Sequence, residues 1–309
     1  MPDLHPSRNT PPGGTAKLAG REVARIGFGA MQLPGPGVWG PPRDRQAALA
    51  VLRRAVDLGV NHIDTAHFYG DGVANGLIRA ALHPYPEDLV LVSKVGAERD
   101  ATGGWIPAQR PEQLRAGVEA NLAALGVEQL GVVNLRLVDE LPGGTPLPSD
   151  QKPDLDSQLA EMTALRDEGK IGGIGISNVT AGQLRQALPA GLACVQNAYS
   201  MLDRSGEPLL SLCQQHGVAW VPYFPLGSAF PGIAKVTEHP AVTRAAAALD
   251  ATPAQIGLAW LLAHDPGTLL IPGTSTPGHL EDNIAAGNVH LDPATMDILD
   301  GLAAAPAAS

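Results

Sequence analysis

Cysteine and positive charge are scarce in this chain. Two cysteines, Cys194 and Cys213, cannot form a disulfide framework or a cysteine-rich zinc site, and each reads as a core residue. Twenty-one basic residues stand against 31 acidic ones, a net charge of −10. That balance argues against a general binder of nucleic acid or anionic membrane, since both need a basic face. No stretch reaches the ~18 uninterrupted apolar residues of a membrane span. The opening MPDLHPSRNTPPGGTAK lacks the apolar core of a signal peptide and reads as a disordered lead-in over residues 1–14. A 44% hydrophobic, 17% charged composition excludes wholesale disorder. A cytoplasmic globular protein is the expectation.

What is present is alternation. Short apolar runs fall at Arg25–Gly29, Val60–Asp64, Leu89–Val95, Leu130–Val138, Ile171–Ile176, Ala193–Asn197, Val218–Tyr223 and Leu269–Pro272. Each is followed by a plausible helix, the pattern of a parallel sheet with crossover helices. Leu114, Val118, Leu122 and Leu125 form one helical stripe, and Leu155, Leu159, Met162 and Leu165 another, both read as core packing. Thr252-Pro253, Thr276-Pro277 and Asp292-Pro293 mark helix starts. KLAGREVAR predicts a hairpin turning at Ala19-Gly20. Two long loops, Asp139–Pro153 and Phe224–Pro240, follow the fourth and seventh strands, where a barrel builds its site. The α/β prediction is a single (β/α)8 TIM barrel over residues 15–309, with an N-terminal β-hairpin and long loops after strands 4 and 7. A doubly wound open sheet is the alternative, but KIGGIGISN supplies no G-x-G-x-x-G before a helix.

Asp64 ends the second strand, and Tyr69 follows on the loop. Lys94 lies near the end of the third strand. A lysine inside a barrel must be paired or lose its charge, and Asp64 is the natural partner. A lysine beside a tyrosine hydroxyl favours the phenolate by at most about 4 kcal/mol at ~4 Å and an effective dielectric near 20. Asp64 would offset part of this, leaving a tyrosine able to exchange a proton near neutral pH. Spacing alone leaves a second reading open: an interior salt bridge with a surface tyrosine. His62, Asp64 and His67 resemble part of a two-histidine, one-carboxylate iron site. All three would have to converge while Asp64 has Lys94 to satisfy, so no metal is expected.

D-x-A-x-x-Y-G at Asp64–Gly70, with Lys94 on the next strand, resembles the aldo-keto reductases. The likeness extends through RIGFGAMQL, GISN at Gly175–Asn178, VQNAYS at Val195–Ser200, PYFPLGS at Pro222–Ser228 and IPGTSTPGHLEDN at Ile271–Asn283. The resemblance implies a (β/α)8 barrel that binds NADPH without a Rossmann domain and reduces an aldehyde or ketone. It makes Tyr69 the general acid, with Lys94 lowering its pKa and Asp64 holding Lys94. Ser177, Asn178 and Gln196 would bind the nicotinamide carboxamide, and Tyr223 would stack on the ring. Ala30 and Met31 would belong to the cofactor site, and Phe224, Leu226 and Ser228 would line the pyrophosphate. Thr274, Ser275, His279, Asp282 and Asn283 match the segment that holds the 2′-phosphate and adenine. Trp39, Phe68 and Trp105 would line the substrate pocket.

The sequence departs from that family pattern in two places. Arg136 stands where most members carry a catalytic histidine, and an arginine cannot carry protons. It can stabilise an oxyanion or clamp an anionic substituent, or its head can turn to Asp139 or Glu140. VVNLR with AMQL, GPPRDR and FPLG is most similar to the bacterial pyridoxal reductase branch, in which Arg136 is compatible with turnover. Gly273 and His279 stand where many members have lysine and arginine, so NADH use is also open. The expected protein is a monomeric carbonyl reductase acting on a small molecule, pyridoxal leading. A nicotinamide-bound regulatory protein with little turnover and a metal-dependent barrel hydrolase are the rivals.

Overall fold

A computed structural model describes residues 11–141, 145–227 and 233–303. The chain opens with β1 (Thr15–Leu18) and β2 (Arg21–Ala24), paired antiparallel around the Ala19-Gly20 turn. The strands β3 (Phe28–Gly29), β4 (His62–Asp64) and β5 (Val90–Arg99) follow, and β5 doubles back as the antiparallel β6 (Trp105–Ala108). Next come β7 (Val132–Arg136), the small hairpin β8 (Glu140–Leu141) and β9 (Thr145–Pro146), then β10 (Ile174–Ser177), β11 (Leu192–Gln196) and β12 (Ala219–Trp220). Strands β3, β4, β5, β7, β10, β11 and β12 are parallel neighbours in that order.

An eighth segment closes the ring. Leu269 N donates to Trp220 O at 2.8 Å on one side, and Leu270 N donates to Arg25 O at 2.7 Å on the other. Gly27 N returns a 2.8 Å bond to Leu270 O. All eight predicted strands therefore exist, although most pair over fewer residues than the apolar runs suggested. Leu130 and Ile171, for example, meet only in an isolated bridge ahead of β7 and β10.

The described helices are α1 (Arg45–Asp57), α2 (Val73–Leu82), α3 (Pro111–Leu125), α4 (Leu155–Asp167), α5 (Ala181–Ala187), α6 (Glu207–His216), α7 (Pro240–Ala248), α8 (Pro253–His264), α9 (Pro277–Ala285) and α10 (Pro293–Asp300). Thr252 caps α8 by accepting from Gln255 N, and Asp292 caps α10 by accepting from Thr295 N. At α9 the expected cap is rearranged: Thr276 N donates to Thr274 Oγ1 at 3.1 Å and the Thr276 side chain makes no cap bond. Leu114, Val118, Leu125, Leu155, Leu159, Met162 and Leu165 are buried, as their helical spacing predicts, and Leu122 packs against them.

Two cores result. The larger lies between the helices and the outside of the barrel. The smaller fills the barrel, where Val90, Val92, Val132, Cys194, Ala219, Val221 and Leu269 meet Leu18 and Val23 of the hairpin. Leu18 and Val23 join residues from the beginnings of β5, β7 and β12, so the hairpin plugs the N-terminal mouth and leaves the opposite end for the site. Burial pushes the Cys213 thiol up to about 12 and that of Cys194 upward as well, which suits their reading as core residues.

Residues 11–14 depart from the expected lead-in: Arg25 N donates to Gly14 O and Ile26 N to Pro12 O, anchoring them beside the first strand. The rest of that segment, residues 1–10, lies outside the described residues. The loop after β7 is tied down by Gln109, whose Nε2 donates to Val138 O and Gln151 O, each at 2.9 Å. Among the described residues, no single helix is long and apolar enough to cross a membrane.

Candidate active site

The C-terminal ends of the strands bring Asp64, Lys94 and Arg136 to one mouth, as alternation along a strand requires. Asp64 ends β4, Lys94 lies on β5 in register with Asn134 of β7, and Arg136 ends β7 in register with Ser177 of β10. Gly96, two residues beyond Lys94, has φ +105°, and a Cβ there would lie 2.2 Å from Arg136 O. Only glycine lets the end of β5 pass this close to β7.

Lys94 Nζ is ion-paired with Asp64 Oδ1 and donates to Thr65 O at 3.2 Å. The other Asp64 oxygen accepts from Gln196 Nε2 at 2.7 Å. Lys94 and Asp64 are both buried, so the lysine is paired in the way a barrel interior demands. Burial by itself would lower the Lys94 pKa, but the neighbouring Asp64 carboxylate and Tyr69 hydroxyl hold it above the ordinary lysine value.

Tyr69 is 6% exposed, so the alternative of a surface tyrosine is overturned. Lys94 Nζ lies 5.1 Å from its ring centre. Lys94 does pull the Tyr69 pKa down as expected, but the net shift is upward. Burial raises it, and the opposing pull of Lys94 is countered by Asp64, with Arg136 adding a smaller downward pull. The phenol keeps its proton through neutral pH, the state a proton donor needs.

These groups border a cavity of about 620 Å³ at the barrel mouth. Met31, Asp64, Phe68, Tyr69, Lys94 and Trp105 line one part of it. Arg136, Tyr223, Phe224, Leu226 and Asn283 complete the lining residues that sequence reasoning proposed. Ala30, Ser177, Asn178, Gln196, Thr274, Asp282 and His279 are not among its lining residues. Ala30 is fully buried in a short turn, and its methyl group offers no polar contact. Ser177 and Asn178 stand just behind Arg136 and Tyr223. Arg136 Nη1 donates to Ser177 Oγ at 3.5 Å, and Tyr223 Oη donates to Asn178 Oδ1 at 3.4 Å. Ser275 faces a neighbouring groove shared with Met31, and His279 is exposed on α9. Trp39 stands outside the cavity, its indole laid against Gly103. Ser228 lies outside the described residues.

Arg136 has no carboxylate within ion-pair distance among the described residues, so its head is not turned to Asp139 or Glu140. Its guanidinium carbon lies 5.7 Å from the Tyr223 ring centre. His67 lies 3.9 Å from Asp71, and His62 is buried without a side-chain partner for either ring nitrogen. Among the described residues no three histidine, cysteine or acidic side chains form a cluster able to hold a metal.

Sequence reasoning missed Gln32 and Lys235, which also line the cavity. Lys235 is the only lysine in the loop after the seventh strand, a signal that was available. Its Nζ bonds Glu238 at 2.7 Å. The residues fit a nicotinamide cofactor on one internal test. Gln196 Oε1 is buried without a hydrogen-bond partner, an acceptor suited to a carboxamide N–H.

A model of the Aldo/keto reductase family matches residues 25–304. The chain is similar to pyridoxine 4-dehydrogenase of Escherichia coli, with 43% identity over 93% of this chain and 98% of that protein. It is similar to an uncharacterized oxidoreductase of Schizosaccharomyces pombe, with 36% identity over 93% of this chain and 89% of that protein. Among solved structures it resembles an aldo-keto reductase from Klebsiella pneumoniae in complex with NADPH. The TM-score is 0.76 and the identity 27%, over 95% of this chain and 96% of that one.

Proposed function

Because this chain belongs to the aldo/keto reductase family, we propose that its substrate is a flat aromatic aldehyde bearing an anionic oxygen, with pyridoxal the leading case. It is an NAD(P)H-dependent oxidoreductase that reduces an aldehyde or ketone to the alcohol. The observation that carries the substrate reading is Arg136, a permanent cation lining the cavity with no carboxylate partner among the described residues. Pyridoxal places an acidic ring hydroxyl beside its aldehyde, and the resulting oxyanion suits a guanidinium. The name of the Escherichia coli relative points to the same ring system, since oxidation of pyridoxine at its 4-position is the reverse of pyridoxal reduction.

NADPH supplies the hydride when bound. The carbonyl lies against Tyr69, whose hydroxyl gives its proton to the carbonyl oxygen as the carbon is reduced. Lys94 stabilises the phenolate left behind, Asp64 fixes Lys94, and Gln196 fixes Asp64. Gln196 Oε1, Ser177 and Asn178 would hold the carboxamide, and Tyr223 would pack on the nicotinamide ring. Phe224 and Leu226 would lie along the pyrophosphate, while Thr274, Ser275, His279, Asp282 and Asn283 would hold the adenosine end. Met31 and the backbone at Ala30 would border the cofactor, and Phe68 and Trp105 form the substrate wall. With Gly273 and His279 the 2′-phosphate site is less cationic, so NADPH is favoured and NADH is used to a lesser degree. Family resemblance supports a cytoplasmic monomer, and a net charge of −10 supports action on small molecules rather than on nucleic acid or anionic membrane.

The test is a panel of pyridoxal, its 3-O-methyl ether and 4-nitrobenzaldehyde, each with NADPH and with NADH. Pyridoxal should show the highest kcat/KM, and masking the ring hydroxyl should remove that advantage. Equal values for pyridoxal and its methyl ether would overturn the anionic-oxygen reading.

A further inference from the structure

Arg99 is the last residue of β5, the strand that carries Lys94, and it does not line the cavity. Its guanidinium joins three loops. Nε donates to Phe68 O at 3.0 Å, Nη1 to Gly103 O at 2.7 Å, and Nη2 to Val38 O at 3.0 Å and Gly37 O at 3.4 Å. The same group lies 3.7 Å from the centre of the Trp105 ring and 5.8 Å from that of Trp39. Trp105 meets Phe68 edge-to-face at 5.1 Å, and Phe68 meets Tyr69 edge-to-face at 5.3 Å. Phe68, Tyr69 and Trp105 do line the cavity. One half-buried cation thus stands behind the whole aromatic wall.

One of the loops it joins does not rest in a relaxed conformation. Val38 has φ +59°, a left-handed backbone that a β-branched residue rarely adopts. Its carbonyl accepts from both Arg99 Nη2 and Gly70 N. Gly103 has φ +85°, and a Cβ there would lie 2.7 Å from the Trp39 indole. The Val38 conformation persists only where its surroundings over-determine it, and the guanidinium that bonds its carbonyl also bonds that of Gly103.

We propose that Arg99 is the positioning residue of the substrate wall. It sets the Trp105–Phe68 surface against Tyr69 and so tunes the enzyme for flat aromatic carbonyls. The proposal rests on the reading that reduction takes place beside Tyr69. The task needs a planar fork that bonds several carbonyls while stacking on an indole, which a single ammonium group cannot do.

Arg99→Met keeps the side-chain bulk and removes the donors, and Arg99→Lys keeps the charge. Both should lose on the order of 10- to 100-fold in kcat/KM with 4-nitrobenzaldehyde, the scale of a small misplacement of substrate. Propanal, too small to use the wall, should be reduced at close to the wild-type rate, and NADPH affinity should be unchanged. Acrylamide should quench tryptophan fluorescence more strongly in both variants. Trp220 and Trp260 are buried, so the added quenching reports Trp39 and Trp105. Equal losses on both aldehydes together with weaker NADPH binding would reduce Arg99 to general scaffolding and overturn the proposal. Wild-type selectivity in Arg99→Lys would overturn it too, since charge alone would then suffice. If Arg99→Met fails to fold, Arg99→Lys, which keeps the charge and loses the planar fork, carries the same test. Selectivity retained in that variant would sink the idea. Tyr69→Phe serves as the control: it should silence both aldehydes alike, and full activity there would remove the proton donor without altering the Arg99 result.

Discussion

The Lys94 ammonium lies 5.1 Å from the centre of the Tyr69 ring while its hydrogen bonds go to Asp64 and Thr65 O. The cation is close enough to stabilise a phenolate but is already committed to a carboxylate. Burial therefore decides the resting state, and Tyr69 stays protonated above the ordinary tyrosine value of 10.0. Carbonyl reduction should be flat across neutral pH wherever Tyr69 alone governs it, and its alkaline limb should lie above that value. Tyr69→Phe should fold and bind NADPH normally yet lose about 10²–10⁴-fold in single-turnover reduction. A near-wild-type rate would remove Tyr69 as the acid.

The Lys94–Asp64 pair is 6% and 4% exposed at the two side chains. Removing one member leaves the other charge buried, which costs about 3–5 kcal/mol. Lys94→Met should be destabilised on that scale in urea unfolding. Adding Asp64→Asn should recover part of the loss, because the neutral amide can still accept from Gln196. Strict additivity of the two substitutions would show that the charges are not coupled.

Much of this site was legible because its elements repeat a simple pattern. Eight apolar runs separated by amphipathic stretches are enough to propose a barrel; β4 and β7 end on Asp64 and Arg136, and β5 carries Lys94 at mid-strand. β6 escaped notice because Trp105–Ala108 is short, contains Pro107 and exposes Ile106. The sign of the Tyr69 pKa was missed for a different reason. Spacing reveals a neighbouring charge, whereas burial depends on Phe68 and Trp105 folding over the loop. The Asp64–Gln196 bond spans 132 positions, and Arg99 bonds the carbonyls of three separate loops. Distance along the chain hides the first contact from spacing, and the second goes to backbone acceptors, which leave no mark in side-chain identity.

His62 offers a test of the barrel interior. It is 1% exposed, neither ring nitrogen has a side-chain partner, and burial lowers its pKa to about 4 from the ordinary 6.5. The unfolded chain therefore binds the proton more readily between these two values. Stability should fall as pH drops through that window and level off below it, with roughly 3 kcal/mol at stake. His62→Leu should remove this component from the pH dependence of urea unfolding. Parallel wild-type and variant curves from pH 7 to 4 would contradict it.

His279 is exposed on α9, and Gly273 supplies no charge to the same segment. If His279 contacts the 2′-phosphate, His279→Ala should weaken NADPH more than NADH by roughly 0.5–2 kcal/mol, the scale of one charge-assisted hydrogen bond. Titration calorimetry with both cofactors reads the difference directly. Equal losses would move His279 out of the phosphate site.

Arg136 presents the sharpest contrast with a histidine at the same place. Two cations near Tyr69 would be expected to hold the phenolate and leave no proton to donate. The structure resolves this through burial and Asp64, which together outweigh Lys94 and the weaker pull of Arg136. Arg136 is then left without a counter-charge among the described residues and can receive one from the substrate. Because arginine does not titrate, hydride transfer should lack the ionisation that a histidine would add, and Arg136→His should introduce it. Arg136→Met should slow pyridoxal reduction far more than it slows 4-nitrobenzaldehyde, which has no oxyanion, and should weaken NADPH little. Single-turnover NADPH oxidation followed against pH in all three forms separates these effects. If Arg136→Met reduces pyridoxal at the wild-type rate across the whole range, the guanidinium does not meet the substrate.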